Sequence, residues 1–241
     1  MEHHGPETWL ANLPFLPHEH DLIHVNGAIV VFLVILIFSI IARLRMTGKI
    51  ESFIIPPKKA SVAGICDVLV ESLNGMVTGM LGPHGARHFP FIATLFIFVL
   101  ISNLMGLLPV SESPSSNLNT TLALGAVSFL YYNFMGILEH GPIGYMKHFL
   151  MGLGIMGVPI ALFEILSHVL RPFTLGLRLF LNLKIDHLLA GSFGQLCQWV
   201  LPVPLLLFGV VVCTIQAFLF ATLTSVYIQM ATEHEDHGEE H

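Results

Sequence analysis

The sequence predicts an all-α integral membrane protein with about five transmembrane helices plus one interfacial amphipathic helix. Three observations carry this. Of 241 residues, 54% are hydrophobic and 11% charged, against about 25% charged in a soluble domain. The mean hydropathy is +0.76. The apolar residues fall in runs too long for a water-soluble core. Together these exclude an ordinary soluble enzyme, a nucleic-acid binder and a disordered chain.

The elements follow in order. Residues 1–26 form a polar N-terminal tail without a basic n-region, so no cleavable signal peptide is expected. The first apolar run, 27–43, is just long enough to cross about 30 Å of hydrocarbon at about 1.5 Å per residue. Arg43, Arg45, Lys49, Lys58 and Lys59 follow, and Pro56 and Pro57 break any helix there. In 60–81, Val62, Ile65, Cys66, Leu69, Leu73, Met76 and Met80 recur at three- and four-residue steps, with Asp67, Glu71 and Asn74 between them. That pattern reads as a helix lying at the interface. Further spans are expected at 89–109 and 118–138, joined by a loop with Glu112, Pro114, Ser115 and Ser116, and a second loop is expected at 139–148. The run 149–193 would be about 65 Å long as one helix, twice a bilayer's core, so it makes two spans or one oblique passage. Pro172 is expected to kink it. A last long run covers 199–231. The expected domain layout is a tail at 1–26, one transmembrane domain at 27–231 and an acidic, His-bearing tail at 232–241.

Basic residues give the orientation. Arg43, Arg45, Lys49, Lys58, Lys59 and Arg87 fall between the first and second spans, and Lys147 falls between the third and fourth. The loop 110–117 and the N-terminal tail have none. Positive charge stays inside, so the N-terminus is expected outside. The C-terminus is cytoplasmic if 149–193 crosses once.

The remaining cations, Arg171, Arg178 and Lys184, lie inside the long apolar run. A central arginine costs about 3 kcal/mol on insertion scales and must face protein, water or a counter-charge. Arg171, beside Pro172, reads as a snorkelling residue. Arg178 has no acid on its own stretch before Asp186. At about 100° per residue, Asn182 shares its face, Asp186 lies about 80° round and His187 lies opposite. The purely structural alternative is an Arg178–Asp186 pair. Glu164 and His168 form an i, i+4 pair before Pro172. Asn103, Asn119, Asn133 and Gln216 are each, alone, interhelical glue. Together with Glu164, His168, Asp186 and His187 they resemble stepping stones for protons.

Other chemistry finds no support. HExxH, a phosphate loop and Gly-x-Ser-x-Gly are missing. Cys66, Cys197 and Cys213 make no disulfide framework. The terminal histidines read as solvated tails, so no metal and no cofactor is expected.

The segment Arg171-Pro-Phe-Thr-Leu-Gly-Leu-Arg178-Leu-Phe-Leu-Asn182 is followed by Ile215-Gln216-Ala217-Phe218 and Thr224-Ser-Val-Tyr227. These, with Asn103-Leu-Met-Gly-Leu-Leu-Pro109 and Pro114-Ser-Ser-Asn-Leu-Asn119, resemble subunit a of the F-type ATP synthase over about 88–231. The resemblance implies a stator channel in a bacterial inner membrane, non-catalytic by itself, whose partners are the c-ring, the peripheral-stalk subunit b, the lipid bilayer and the translocated proton. It implies that Arg178 faces the ring carboxylates. Asn182 and Gln216 match polar positions near that arginine. His187 matches a relay position on the outer half-channel, Ser115, Asn117 and Asn119 match its mouth, and Glu164 matches an acid on the opposite side. It also implies that the last two helices form a strongly tilted hairpin, hence one passage for 149–193 and a cytoplasmic C-terminus. Three departures stand out. Leu181 replaces a small residue, Lys184 and Asp186 are additions, and Gly209 stands where a polar partner of His187 is common. Asp186, His168 or water is left to compensate.

A free-standing proton-coupled secondary transporter is the alternative. It calls for a binding cavity, often from inverted repeats, and no internal repeat is visible. A membrane-embedded hydrolase lacks any nucleophile–base pattern.

Overall fold

The computed structural model describes residues 23–46, 62–82, 85–107, 113–150, 157–196 and 202–232. They form α1 (Ile23–Met46), α2 (Val62–Leu81), α3 (Gly85–Gly106), a 3-10 turn (Pro114–Ser116), α4 (Leu118–Leu150), α5 (Gly157–Leu196) and α6 (Pro202–Thr232). Most of the N-terminal tail, the basic stretch 49–59 and the tail from 233 lie outside the described residues. Among the described residues, three helical stretches are long and apolar enough to cross a membrane: Gly85–Gly106, Leu118–Gly144 and Leu206–Thr232. Val25–Ile41 is a shorter apolar helix. The molecule is an all-α integral membrane protein.

Several boundaries differ from expectation, among them that of α1, which runs Ile23–Met46 rather than 27–43. The helix expected at 89–109 runs Gly85–Gly106, because its first turn is polar (Ala86, Arg87, His88) and escapes a search for apolar runs. The loop expected at 139–148 is helical. The α4 backbone departs from helical angles at Gly141, φ 72° and ψ 160°, beside Pro142. Glycine adopts positive φ without steric cost and proline has no N–H to give, so one residue makes the bend. Of the run 149–193, Phe149 and Leu150 end α4, 151–156 lie outside the described residues, and the rest falls in α5, one continuous helix through Pro172. Its 40 residues span about 60 Å. Pro202 opens α6, where its fixed φ suits a helix start.

The packing centres on α6, which contacts α2, α3, α4 and α5, while α4 and α5 form their own broad seam. In lipid, helices gain nothing from apolar burial against each other, so close approach and dispersion decide. On α6, Gly209, Cys213, Ala217, Ala221 and Ser225 recur every fourth residue and are all buried. This run of small side chains winds round the helix and admits its neighbours. Leu95, Phe96 and Val99 of α3 and Leu73 and Val77 of α2 join Ala217, Phe220 and Ala221 in one cluster. Across the α4–α5 seam the backbones touch. A Cβ on Gly176 would lie 2.7 Å from the Thr121 carbonyl oxygen, and one on Gly125 would overlap that of Pro172. Between α4 and α6, the Ser128 and Thr224 hydroxyls hydrogen-bond at 3.0 Å while fully buried.

Two outcomes test this packing. Gly176→Ala should lower stability by about 1–3 kcal/mol through overpacking, whereas Gly75→Ala, with open space around it, should be neutral or gain up to about 1 kcal/mol of helix propensity. Unfolding titrations in mixed micelles read both. A double-mutant cycle on Ser128→Ala and Thr224→Ala should give a coupling of about 0.6 kcal/mol, the usual value for such bonds in membranes.

Candidate functional site

The α4–α5 seam fixes the rotation of α5. Gly176 faces α4, and Leu175, Leu179 and Leu183 are buried. Arg178, about 200° round from Gly176, is therefore exposed, on the face of Thr174, Leu181 and Ile185. It has no ion pair within the described residues, where the pair present is Arg87–Glu139 at 3.7 Å. The structural alternative of an Arg178–Asp186 pair is thus not what the fold builds. Asn182, one turn on, is half-buried. The adjoining face of α6 is also open: Val211, Ile215, Phe218 and Leu219 are exposed, while Gln216 is turned into the buried side at 6% exposure.

Beyond Arg178 toward the C-terminal end of α5, the residues expected to handle protons separate. His187 is exposed. Asp186 is partly buried, and its Oδ2 is fully shielded with no hydrogen-bond partner. It acts electrostatically on Cys213 of α6 and on its neighbour His187. At the same end of the bundle, Ser102 Oγ and both polar atoms of the Asn103 side chain are buried and unpartnered. Gly209 is shielded by Leu107, whose Cδ2 would lie 2.6 Å from a Cβ there.

The turn that closes this end is built by a residue that sequence reasoning passed over. Ser113 Oγ donates to the Ser102 carbonyl at 2.6 Å and accepts from the Ser115 amide at 3.1 Å. Ser115 is buried at 3%. Asn117 Oδ1 accepts from the Asn119 amide at 2.9 Å, and its carbonyl accepts from Thr121 N at 3.3 Å. Asn117 is thus the N-cap of α4. Asn119 is exposed. The signal was present, since Ser-Pro-Ser-Ser-Asn before an apolar run is a helix-start pattern.

Toward the N-terminal end of α5 the polar groups are paired. Asn133 Nδ2 donates to the Phe129 carbonyl at 2.7 Å, leaving its Oδ1 to accept from His168 Nε2 at 2.8 Å. That network assigns the His168 tautomer, with Nδ1 as the basic nitrogen. The ring packs against Phe129 at 5.2 Å and edge-on to Tyr132 at 5.4 Å. Arg171 sits over the Tyr227 ring at 5.0 Å, which accounts for it as a cation–π strut. Lys184 lies over Phe180 at 5.6 Å, an i, i+4 contact that the sequence contained and the reading missed. His88 Nδ1 meets Tyr131 Oη at 3.1 Å, and Phe91 stacks on the same ring. The Glu164 side chain lies outside the described residues. Among the described residues, no cluster of His, Cys, Asp or Glu could hold a metal.

Comparison with known proteins agrees with this architecture. The family model described as ATP synthase A chain matches residues 25–229. The chain is 37% identical over 230 residues to ATP synthase subunit a of Bdellovibrio bacteriovorus, covering 95% of this chain and 98% of that one. It is 37% identical over 215 residues to that of a Sulfurihydrogenibium species, covering 89% and 99%. With ATP synthase subunit a 3 of Pelobacter propionicus it shares 40% over 195 residues, 80% and 84% of the two chains. A match of this extent over nearly every described helix means that the chain belongs to the ATP synthase A chain family, that of subunit a, an integral-membrane component of the synthase complex.

Proposed function

We propose that this chain is the stator channel of an F-type ATP synthase, giving protons two half-channels to a rotating c-ring. The observation that carries the reading is Arg178. It is exposed on a 40-residue helix and has no counter-charge within the described residues. Arginine does not lose its proton in proteins, so the charge cannot be removed by titration. In lipid such a cation calls for water, protein polar groups or a counter-charge, and this reading gives it an acid from another subunit. A ring subunit with a buried carboxylate supplies one, and the open face shared by α5 and α6 is where the ring would lie.

The mechanism follows from the cost of burying charge. A proton entering from outside neutralises a ring carboxylate, and the neutral acid can travel through lipid because its burial costs far less than the ion's. After nearly a full turn it meets the second half-channel. Approaching Arg178 favours the ionised form, so the proton leaves on the other side. The fixed guanidinium also separates the two half-channels. Each proton crossing 100 mV supplies about 2.3 kcal/mol.

The outer half-channel is assigned to Ser115, Asn117 and Asn119 at its mouth, and to His187, Asp186, Asn182 and Gln216 on the way to Arg178. The inner half-channel is assigned to Glu164 and His168. In this reading α1, α3, α4, α5 and α6 each cross once, with the N-terminus periplasmic and the C-terminus cytoplasmic in a bacterial inner membrane. α2 lies at the cytoplasmic surface with Asp67 and Glu71 exposed, beside the peripheral-stalk subunit b. The chain performs no catalysis of its own.

Arg178→Ala should abolish ATP-driven proton pumping in inverted vesicles carrying the whole complex, while the soluble head still hydrolyses ATP. Arg178→Lys should fail to restore it, because a pointlike ammonium does not reproduce the guanidinium fork. Pumping at native levels in Arg178→Ala would end the proposal. Impermeant thiol labelling should reach a cysteine placed at residue 4 from outside in intact cells and one placed at residue 238 only after lysis; the reverse pattern would invert the topology.

A further inference from the structure

Lys184 has no part in the proposed proton path, and its place in the fold is not that of a mid-membrane cation. Its neighbour Leu183 packs where α3 ends: a Cβ on Gly106 would lie 2.7 Å from Leu183 Cδ1 and 2.9 Å from Ser113 Cβ. Gly106 ends α3, and Ser113 caps the 3-10 turn that leads into α4. Both helices contain stretches long and apolar enough to span, so the turn between them lies at a membrane surface. Leu183, and with it Lys184, comes to the depth of that surface.

The direction of Lys184 follows from the helix period. At about 100° per residue, it lies about 80° from the inward-facing Gly176 and about 120° from Arg178. It lies about 140° from Arg171, whose guanidinium covers Tyr227 of α6. Lys184 is exposed and points away both from α6 and from the face assigned to the ring. Below it, Phe180, Leu177 and Phe173 follow at steps of four, three and four residues. Leu177 is 37% and Phe173 52% exposed. From Lys184 to Phe173 the row runs about 16 Å, close to half of a bilayer's hydrocarbon.

A lysine that meets only water stretches its stem toward the surface. Lys184 does the opposite. Its Nζ folds back over the Phe180 ring, 5.6 Å from the centroid, one turn toward the middle of α5. Among the described residues no carboxylate pairs with it, and Asp186, two residues on, faces about 160° away. A cation one turn inside the surface, at the head of an exposed apolar row, is complementary to a phosphate ester with hydrocarbon chains beneath it.

We propose that Lys184 and the row Phe180, Leu177 and Phe173 seat one anionic phospholipid, its phosphate on the ammonium and an acyl chain along the row. A phosphatidylglycerol-type headgroup fits, because its phosphate has no cation of its own; in a choline headgroup the phosphate is already paired. This site goes beyond the stator-channel reading. It needs only that the α3–α4 turn lies at a membrane surface, and it does not depend on the ring or on Arg178.

The test uses the whole complex in phosphatidylcholine nanodiscs containing a small fraction of phosphatidylglycerol with a photoreactive group on one acyl chain. After irradiation, mass spectrometry maps the label, which should fall on the α5 peptide that carries Phe173 and Leu177. Excess unlabelled phosphatidylglycerol should displace it, whereas phosphatidylcholine and inorganic phosphate should not. Lys184→Gln should lower the labelling about fivefold, the factor for one basic residue at an anionic lipid surface, and Lys184→Arg should keep it. The yield of assembled complex checks that both variants fold, and the lipid competition on the native complex decides without any variant. Equal labelling in an assembled Lys184→Gln complex, or equal displacement by phosphatidylcholine, would make this face ordinary lipid contact and overturn the inference. Displacement by inorganic phosphate would overturn it by marking a soluble-anion site. A photoreactive amino acid at residue 177 that crosslinks to another subunit instead of to lipid would overturn it by making the face a protein contact.

Discussion

The contact between the α4 and α5 backbones at Gly125 and Gly176 governs where every other group on α5 points. Gly176 touches the Thr121 carbonyl, so the side of α5 that carries it is committed to α4. With a helical period of about 3.6 residues, that commitment leaves Arg178 outside and sends Leu175, Leu179, Leu183 and then Asp186 along the inner side. No apolar driving force holds membrane helices together, so a backbone contact of this kind is needed to keep an arginine aimed outward. A helix free to rotate would turn the guanidinium away from the open face that α5 shares with α6.

The two ends of the bundle treat polarity in opposite ways. Toward the N-terminal end of α5, His168 is bonded to Asn133, Ser128 to Thr224 and Arg171 is stacked on Tyr227. These contacts tie α4, α5 and α6 to one another. Toward the other end, Ser102, Asn103 and Asp186 keep buried polar atoms without partners. The same residue types thus act as glue where they meet each other and stay unsatisfied where they do not. One end of the bundle is thus tied by side-chain contacts between helices, and the other keeps polar atoms that those contacts do not satisfy.

Much of this was legible in the sequence. The fold class, the anomalous length of the 149–193 run and the isolation of Arg178 were read from apolar runs and charge placement alone, and the structure makes 157–196 one helix. What was missed has a common cause. In a helix that is apolar all round, hydropathy carries no periodicity, and the informative period is in side-chain size. The series Gly209, Cys213, Ala217, Ala221, Ser225 was therefore invisible to a hydrophobic pattern although it sets the packing of α6. The polar first turn of α3 hid its start for a similar reason. The 139–148 loop was read on Glu139, His140 and Lys147, and a single positive φ at Gly141 lets the helix take in this polar stretch with only a bend. Asn117 was placed at the channel mouth by resemblance, and its hydrogen bonds show that it also starts α4.

The difference between Asp186 and His187 could not be settled from spacing, because adjacent residues on a helix point about 100° apart and only packing says which of them faces inward. The packing treats the two differently: Asp186 is partly buried with its Oδ2 shielded, and His187 is exposed. Gly209, a residue without a side chain on α6, lets Leu107 close against the backbone, which removes one place for an acid or imidazole and leaves the interior to whatever α5 supplies. Asp186 continues the side of α5 that carries the buried Leu175, Leu179 and Leu183 and is partly buried, so the rotation that carries Arg178 out keeps one of its oxygens shielded. Position along the helix separates the two charges by eight residues, about 12 Å of rise. That is too far for them to neutralise each other, in keeping with the absence of an Arg178–Asp186 ion pair among the described residues.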